Sequence, residues 1–133
     1  MKKHLVMLSV IALFLIIAVH ISGQSAAEDL KKEAVKKAVV DAYINGVFLK
    51  GNAELMKKGF HPDSDVLILN KGSLVKIQAY TYVGRFEENP GPLHAGKTYK
   101  FADVHVTGYA GLAIVEIFQD KKHIYTDYIN LYK

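Results

Sequence analysis

The last third of the chain alternates hydrophobic and polar side chains with the period of two that is typical of β-strands. Val, Ile, Thr, Tyr and Phe dominate it, and these residue types favour a pleated, half-buried surface. The pattern predicts three strands, at Thr98–Thr107, Ala110–Gln119 and His123–Tyr132. The short connections at Gly108-Tyr109 and Asp120–Lys122 predict antiparallel hairpins. Because such a sheet must bury one face, the segments before it are predicted to be its cover.

Strict alternation assigns the side chains of each strand to two faces. In the third strand, the inner face is predicted to hold His123, Tyr125, Asp127, Ile129 and Leu131. In the second strand, one face holds Ala113, Val115 and Ile117. In the first strand, one face holds Tyr99, Phe101, Asp103, His105 and Thr107, and the other holds Lys100, Ala102, Val104 and Val106. Neither face of the first strand is wholly polar, which is the pattern of a sheet that curls around helices.

Upstream of the sheet, Glu28–Leu49 repeats apolar residues with the period of a helix. Its apolar side is predicted to consist of Leu30, Ala34, Ala38 and Ala42, flanked by Val35, Val39, Tyr43 and Val47. Gly51 fits the stop of this helix, and Asn52 fits the N-cap of a short second helix at Ala53–Lys58.

The middle of the chain predicts a turn, a hairpin and a third helix. Proline disfavours helical geometry at the residue before it, so Phe60–Asp63 predicts a turn that ends the second helix. Asp65–Asn70 and Leu74–Ile77 predict a hairpin around Lys71-Gly72. The third helix is predicted at Ile77–Glu88, with helical spacing carried by Ile77, Tyr80, Val83 and Phe86.

The segment Met1–Ala27 predicts an export signal. Lys2 and Lys3 give it a positive start, and the apolar run Leu5–Val19 is shorter than the roughly 20 residues that span a bilayer. Small residues follow, and we expect cleavage after Ala27. The alternative is an uncleaved membrane anchor, which would be the chain's only contact with a membrane. The mature protein is then predicted to be a single domain over residues 28–133, secreted or periplasmic.

Composition narrows the functional classes. The chain has 133 residues, of which 50% are hydrophobic, enough for one domain with a real core. Of its 17 Lys and Arg residues, Lys2 and Lys3 lie in the leader, so 15 remain against 13 acidic residues. That balance, without a basic stripe interleaved with aromatics, gives no reason to expect a nucleic-acid partner. The absence of cysteine excludes disulfides, thiol catalysis and a lipid anchor on cysteine.

Several short motifs between Ala34 and the C-terminus resemble one known family. They are Ala42-Tyr43 with Gly46, Gly51–Leu55, Phe60–Asp63, Val104–Gly108, Ala113–Glu116 and Thr126–Leu131. With the order of the predicted elements, they resemble the nuclear transport factor 2-like superfamily and, within it, the putative lumazine-binding family. The resemblance implies an α+β fold in which a curved antiparallel sheet wraps around the N-terminal helix in a cystatin-like cone. The family name implies a flavin-precursor ligand.

The resemblance also raises an expectation about the last strand. Members of this family usually continue past the Thr126–Leu131 strand into a further, Trp-containing strand. The sequence ends at Lys133, so we expect that strand to be missing and the edge of Ile124–Tyr132 to be open to pairing. A strand that buries three large side chains contributes about 4.5–9 kcal/mol, which is comparable with a typical whole-domain stability of about 5–15 kcal/mol. Either the chain is a truncated gene product, or a partner covers that edge.

Asp127 is the most informative carboxylate of the sequence. If it points inward between Tyr125 and Ile129, desolvation raises its pKa and allows it to move protons near neutral pH. The alternative is a carboxylate held by backbone hydrogen bonds. His61 and His105 are candidate ligand contacts. The alternative for His61 is a turn residue that packs on the first helix, and the alternative for His105 is a member of an exposed cross-strand pair.

Aromatic side chains on the predicted helices and turns either line a pocket for a planar ligand or form ordinary core. They are Tyr43, Phe48, Phe60, Tyr80 and Phe86. The histidines lack metal-ligand spacing, so we predict no metal and no cofactor. No phosphate loop or nucleophile elbow occurs. The predicted ligand-binding set is Tyr43, Phe60, His61, Tyr80, Phe86, His105, Tyr125 and Asp127.

These features favour an exported domain that holds a small hydrophobic or aromatic molecule between helices and sheet. Two alternatives stay open. One is a small enzyme of the isomerase or cyclase type that uses Asp127 as its base. The other is a homodimeric interaction module without a ligand.

Overall fold

The described chain is built of three helices, a hairpin and a three-stranded sheet. The computed structural model describes residues 26–92 and 96–133. Helix α1 covers residues 26–49, and its last part, Val40–Leu49, is π-helical. The elements that follow are α2 (Ala53–Lys57), β1 (Asp65–Asn70), β2 (Ser73–Gln78), α3 (Ala79–Glu88), β3 (Lys97–Thr107), β4 (Ala110–Gln119) and β5 (Lys122–Tyr132).

Within the described ranges, the strands form two antiparallel sheets. β1 pairs with β2, and the other three strands are ordered β3-β4-β5. The predicted strands agree with these elements to within one residue at each end. The predicted α+β class is confirmed, and the larger sheet is open rather than closed into a barrel.

The junction between α1 and α2 depends on a glycine and an asparagine. Gly51 has a positive φ of 55°, and a Cβ built there would lie 1.6 Å from the carbonyl oxygen of Gly91. Only glycine permits this close approach, which includes a 3.2 Å hydrogen bond from the Gly91 amide to the Gly51 carbonyl. The Asn52 side chain accepts a hydrogen bond of 3.1 Å from the Leu55 amide. The predicted helix stop and N-cap are therefore confirmed.

The core lies between α1 and the inner face of the three-stranded sheet. Its most buried large side chains are Ile44, Met56, Ile117, Val39, Val47 and Val115. Val35 reaches the sheet at Gly111, where an added Cβ would lie 3.1 Å from the Val35 Cγ2 atom. The predicted apolar side of α1 was wrong in its first turns, because Leu30 is 73% exposed and Ala34 and Ala38 are also exposed.

A bulge in β3 corrects the predicted faces of that strand. The pairing with β4 shifts after Phe101, so Ala102 is an extra residue in β3. The side chains that follow it change face. Val104 and Val106 therefore join Phe101 in the core cluster, whereas His105 is exposed on the outer face. The prediction that His105 shares a face with Phe101 was wrong, because strict alternation does not allow for a bulge.

A second bulge, at Ile124, corrects the start of β5. Ile117 pairs with Tyr125 and Phe118 pairs with His123, which leaves Ile124 without a partner in β4. His123 was predicted to face inward, but it lies on the outer face with its ring 5.6 Å from that of Phe118. The remaining apolar side chains of the predicted inner face pack against the core: Tyr125, Ile129 and Leu131.

Helix α3 begins two residues later than predicted. Ile77 belongs to β2, where it pairs with Val66. The amide of Ala79, the first residue of α3, donates to the Ser64 carbonyl at 2.8 Å. The buried residues of α3 are Ala79, Val83 and Phe86. Tyr80, which was predicted on the buried side, is 62% exposed because the buried face of the helix is formed by Ala79, Val83 and Phe86.

The predicted leader lies almost wholly outside the described residues, and its cleavage after Ala27 stays a prediction. Among the helices of residues 26–92 and 96–133, none is both long enough and apolar enough to cross a membrane.

Candidate functional site

A hydrogen bond joins α1 to β5 at the inner face of the sheet. The Tyr43 hydroxyl donates to Oδ2 of Asp127 at 2.6 Å, across 84 residues of sequence. Asp127 pairs with the buried Val115 of β4, so its side chain must point inward. Tyr43 lies in the π-helical part of α1, between the buried residues Ala42 and Ile44. Both partners are half-buried, so the pair lies where core meets solvent.

The ring of Tyr43 belongs to a continuous series of aromatic rings, here called the aromatic row. Its members are Tyr125, Phe48, Tyr43, Phe60, Tyr82 and Phe86. Successive ring centroids are 6.3, 5.2, 6.3, 6.3 and 5.6 Å apart in that order. Such distances are those of favourable aromatic pairs. Phe48 and Phe86 are buried, whereas the other four rings are half-buried. The row therefore places partly accessible aromatic rings beside one carboxylate, an arrangement that suits a planar molecule with an N–H or O–H donor.

Burial sets the protonation of the polar groups in the row. Burial raises the pKa of Asp127, and the hydrogen bond from Tyr43 and the charge of Lys97 oppose that rise only in part. Burial, and then the negative charge of Asp127, also raises the pKa of Tyr43, of Tyr82 and of Tyr125. These hydroxyls consequently stay protonated at neutral pH and can act as hydrogen-bond donors.

Lys97 brings a positive charge to one end of the aromatic row. Its Nζ atom donates to the Tyr125 hydroxyl at 3.4 Å. The same atom lies 5.0 Å from the Tyr125 ring centroid and 5.7 Å from that of Phe48, within the range of cation–π attraction. Burial lowers the pKa of Lys97, and the charge of Asp127 partly opposes this. The site thus carries one cation and one carboxyl group against apolar walls.

The free space at this end of the row is small. A shallow depression beside Lys97 encloses about 10 Å³, roughly the room of one water molecule. It is lined by Ile44, Phe48, Leu49, Lys97, Thr98, Tyr99 and Ile117. A bicyclic ligand therefore needs side chains to move apart, or it must bind on the open side of β5.

The structure brings together five of the eight predicted site residues. Tyr43, Phe60, Phe86, Tyr125 and Asp127 all belong to the aromatic row or contact it.

The other three predicted site residues lie elsewhere. The exposed His61 accepts a hydrogen bond from the Asp63 amide at 3.2 Å within its own turn. The Nε2 atom of His105 lies 2.7 Å from Oδ2 of Asp103 on the outer face of the sheet. Tyr80 points to solvent from α3. Within the described residues, no three His, Asp or Glu side chains are placed to hold a metal ion.

Two residues of the candidate site, Tyr82 and Lys97, were not predicted from the sequence. Tyr82 would have been found if α3 had been started at Ala79, because Ala79, Tyr82, Val83 and Phe86 have the spacing of one helix face. Lys97 carries no comparable signal, since it is the first residue of a strand and follows a glycine. Only the packing of β3 against Phe48 and Tyr125 identifies it.

Comparison with known proteins gives one family and one fold. Residues 31–133 match the family described as putative lumazine-binding. No curated protein matches the chain. The chain is similar to a solved structure from Silicibacter pomeroyi, described as a nuclear transport factor 2-like protein of unknown function, with a TM-score of 0.62 and 14% identity. That match covers 78% of this chain and 85% of the other. At this identity the likeness shows the fold alone.

Proposed function

Because this chain belongs to the putative lumazine-binding family and has a nuclear transport factor 2-like fold, we propose that it binds a small planar heteroaromatic molecule at the aromatic row. Flavin precursors and pterins are the ligand class. The domain acts as a binding protein outside the cytoplasm, and its leader carries it there.

The hydrogen-bonded pair of Tyr43 and Asp127 within the aromatic row is the observation that carries this proposal. A fused heterocycle of this class presents two apolar ring faces and N–H donors at its rim. The rings of Phe60 and Tyr82 now contact each other and would supply apolar walls once side chains move apart, and the carboxyl group of Asp127 matches a rim donor. The Lys97 ammonium, at the far end of the row, matches the carbonyl oxygens of such a ligand.

A ligand screen tests this proposal. Lumazine, riboflavin, a pterin and a steroid are added to the protein, and binding is read by thermal shift and by native mass spectrometry. We expect the heterocycles to bind and the steroid not to bind. The proposal fails if none of the heterocycles raises the melting temperature or appears as a bound mass.

Asp127→Asn is the matching variant in the same screen. It keeps the shape of the side chain but loses the charge, and a hydrogen bond to a charged group is worth about 1.5–3 kcal/mol. We therefore expect the ligand to bind at least about tenfold more weakly. Asp63→Asn is the control, because Asp63 is exposed in a turn outside the row. Equal loss in both variants would contradict the assignment of the site.

A second candidate function is proton transfer with Asp127 as the base. One observation favours it, since burial raises the pKa of this carboxyl group towards the working range of a general base. The test is deuterium exchange at the carbon next to the carbonyl of a ketosteroid, followed by NMR. Exchange that is lost in Asp127→Asn supports the enzyme, and no exchange with the intact protein removes this candidate.

The proposal also includes export and a homodimer. N-terminal sequencing of the protein recovered outside the cytoplasm would test export, with Glu28 expected as the first residue.

The homodimer is supported by side chains that expose apolar area on β5: Ile124 at 39%, Tyr128 at 68% and Tyr132 at 84%. Light scattering is the measurement, and a strict monomer would contradict it.

A further inference from the structure

Lys97 differs from the other half-buried lysines of the described chain because it has no acidic partner. Those lysines are Lys32 and Lys36. The Nζ atom of Lys32 forms an ion pair of 2.8 Å with Glu28. That of Lys36 forms one of 2.6 Å with Glu33. Within the described residues, no carboxylate forms an ion pair with Lys97.

The groups that contact the Lys97 ammonium shield it from water without giving it a counter-charge. Its hydrogen bond of 3.4 Å to the Tyr125 hydroxyl uses one of the three N–H donors of a lysine. The faces of the Tyr125 and Phe48 rings add cation–π attraction. Burial nevertheless lowers the pKa of Lys97, which means that the surroundings disfavour its charged form. An anion beside Nζ would offset this cost.

The nearby carboxyl group of Asp127 does not supply that anion. Lys97, at the start of β3, lies opposite Gln119 of β4, and Asp127 of β5 lies opposite Val115. Both side chains are on the inner face, but they are on different strands and at different levels of the sheet. Asp127 is held by the Tyr43 hydroxyl at 2.6 Å. The inner face therefore carries two half-buried groups of opposite charge that are not paired with each other.

We propose that the molecule bound at the aromatic row is an aromatic acid, and that Lys97 selects it by pairing with its carboxylate. This inference rests on the proposed function and adds the charge of the ligand to it. The carbonyl oxygens of a neutral heterocycle would give Lys97 a hydrogen-bond acceptor but no compensating charge. A hydrogen bond between two charged groups is roughly twice as strong as one between neutral groups. Lys97 consequently favours the acid over its neutral analogue.

The space beside Lys97 agrees with a small anionic substituent. The depression that Lys97 lines encloses about 10 Å³, roughly the room of one water molecule. A carboxylate oxygen can take the place of such a water, whereas a ring cannot. Apart from Lys97 and Thr98, the lining side chains are apolar or aromatic. The ammonium is therefore the charged group that an anion entering this depression would meet.

Two matched pairs of ligands test the selection by isothermal titration calorimetry. One pair is pterin and pterin-6-carboxylate, and the other is 2-naphthalenemethanol and 2-naphthoate. The members of each pair share a bicyclic ring system and differ in charge. We expect the carboxylated member of each pair to bind the intact protein at least about tenfold more tightly than the neutral member.

Lys97→Met is the variant that assigns this preference to one side chain. It keeps an unbranched apolar side chain over the two rings and removes the charge. We expect it to bind the neutral and the carboxylated member of each pair with equal affinity. Unchanged binding of the neutral member shows that the site is still folded. Lys97→Arg keeps the charge and is expected to retain a preference for the acid.

Lys100→Met is the matched control for charge removal on the same strand. Lys100 lies on the outer face of β3 and pairs with Glu116 at 3.8 Å. This variant has the same net charge as Lys97→Met and is expected to keep the full preference for the carboxylated ligands. An equal loss of preference in both variants would reduce the effect to net charge and would overturn the proposal. A preference that persists in Lys97→Met would also overturn it.

The two ligand pairs separate this inference from the proposed function. If the heterocycles bind but carboxylation gives no gain in either pair, the selection by Lys97 fails and the proposed function stands. If 2-naphthoate binds through Lys97 while no pterin, lumazine or riboflavin binds, the heterocyclic ligand class fails and the selection stands. If neither aromatic acid binds, the selection is overturned whatever the neutral ligands do.

Discussion

The two sheets of this protein have similar sequences and opposite surroundings. In the three-stranded sheet, Ala113, Val115 and Ile117 of β4 are 0%, 0% and 1% exposed. In the hairpin of β1 and β2, Leu67 is 58% exposed and Leu69 is 73% exposed. Both regions are rich in apolar residues and form antiparallel pairs. The two sheets differ in what covers them. Helix α1 packs on the larger sheet, whereas only the start of α3 adjoins the hairpin.

This difference indicates where the free energy of unfolding resides. Burial of apolar surface is the main stabilising contribution in a small domain. The interface between α1 and β4 supplies it here, whereas an isolated two-stranded hairpin is marginal in water. We therefore expect the hairpin to open locally at a lower cost than the larger sheet. Three pairs of substitutions, taken from the largest expected effect to the smallest, compare the packed part of the domain with the hairpin.

Ile117→Ala is expected to have the largest effect. It removes a fully buried side chain from β4, and such a truncation costs about 2–5 kcal/mol of unfolding free energy. Leu69→Ala, in the hairpin, should change that free energy by less than about 0.5 kcal/mol, because Leu69 is exposed. Urea denaturation of both variants is the measurement. Equal losses would show that the hairpin is covered in solution and would remove the contrast.

Gly51→Ala and Gly72→Ala compare two glycines of positive φ. Both variants force a non-glycine residue into left-handed geometry, at about 1–2 kcal/mol. At Gly72, in the hairpin turn, a new Cβ would meet open space, whereas at Gly51 it would overlap the Gly91 carbonyl. Overpacking adds about 1–3 kcal/mol, so Gly51→Ala should lose that much more stability than Gly72→Ala. A Gly72→Ala variant that is equally or more destabilised would contradict the packing at Gly51.

Asp127→Asn tests the ionisable group on the inner face. Burial raises the pKa of Asp127 above its ordinary value of 3.8, so the folded state binds the proton more tightly than the unfolded state. The stability that this protonation contributes is fully present below pH 3.8 and is lost as the pH rises through the folded-state pKa. We expect Asp127→Asn to flatten this decline and to melt no lower than the unmodified protein at pH 7.

Asp65→Asn is the hairpin control for the same pH series. Asp65 pairs with Lys76 at 2.8 Å on the exposed hairpin, and a surface ion pair contributes about 0–1 kcal/mol. Thermal melts at several pH values compare the two variants. If Asp127→Asn leaves the slope of stability against pH unchanged, Asp127 is not desolvated in the folded protein.

Much of the fold could be predicted because its signals are local. Alternation, turn glycines and the Asn52 cap act within a few residues, so the strands and the start of α2 were found almost to the residue. The third helix was predicted to begin at Ile77 because apolar spacing alone does not separate the end of β2 from the start of α3. The hydrogen bond from the Ala79 amide to the Ser64 carbonyl fixes that boundary. It joins two residues that are distant in sequence, so a local pattern does not reveal it.

The candidate site was predictable only in part. Tyr43, Phe60 and Asp127 were singled out from residue type and helical or strand spacing. The choice between Tyr80 and Tyr82 depended on which face of α3 is buried. His105 was named as a candidate ligand contact, but the bulge at Ala102 places it on the outer face of the sheet.

The sequence by itself determined the α+β class, the order of the elements and the family, since these follow from local propensity and short motifs. The tertiary structure decided which side chains meet. Tyr43 and Asp127 are 84 residues apart and bond only because α1 crosses the inner face of β5. The two bulges decided which face each strand residue occupies, because a single extra residue reverses the alternation of every side chain beyond it.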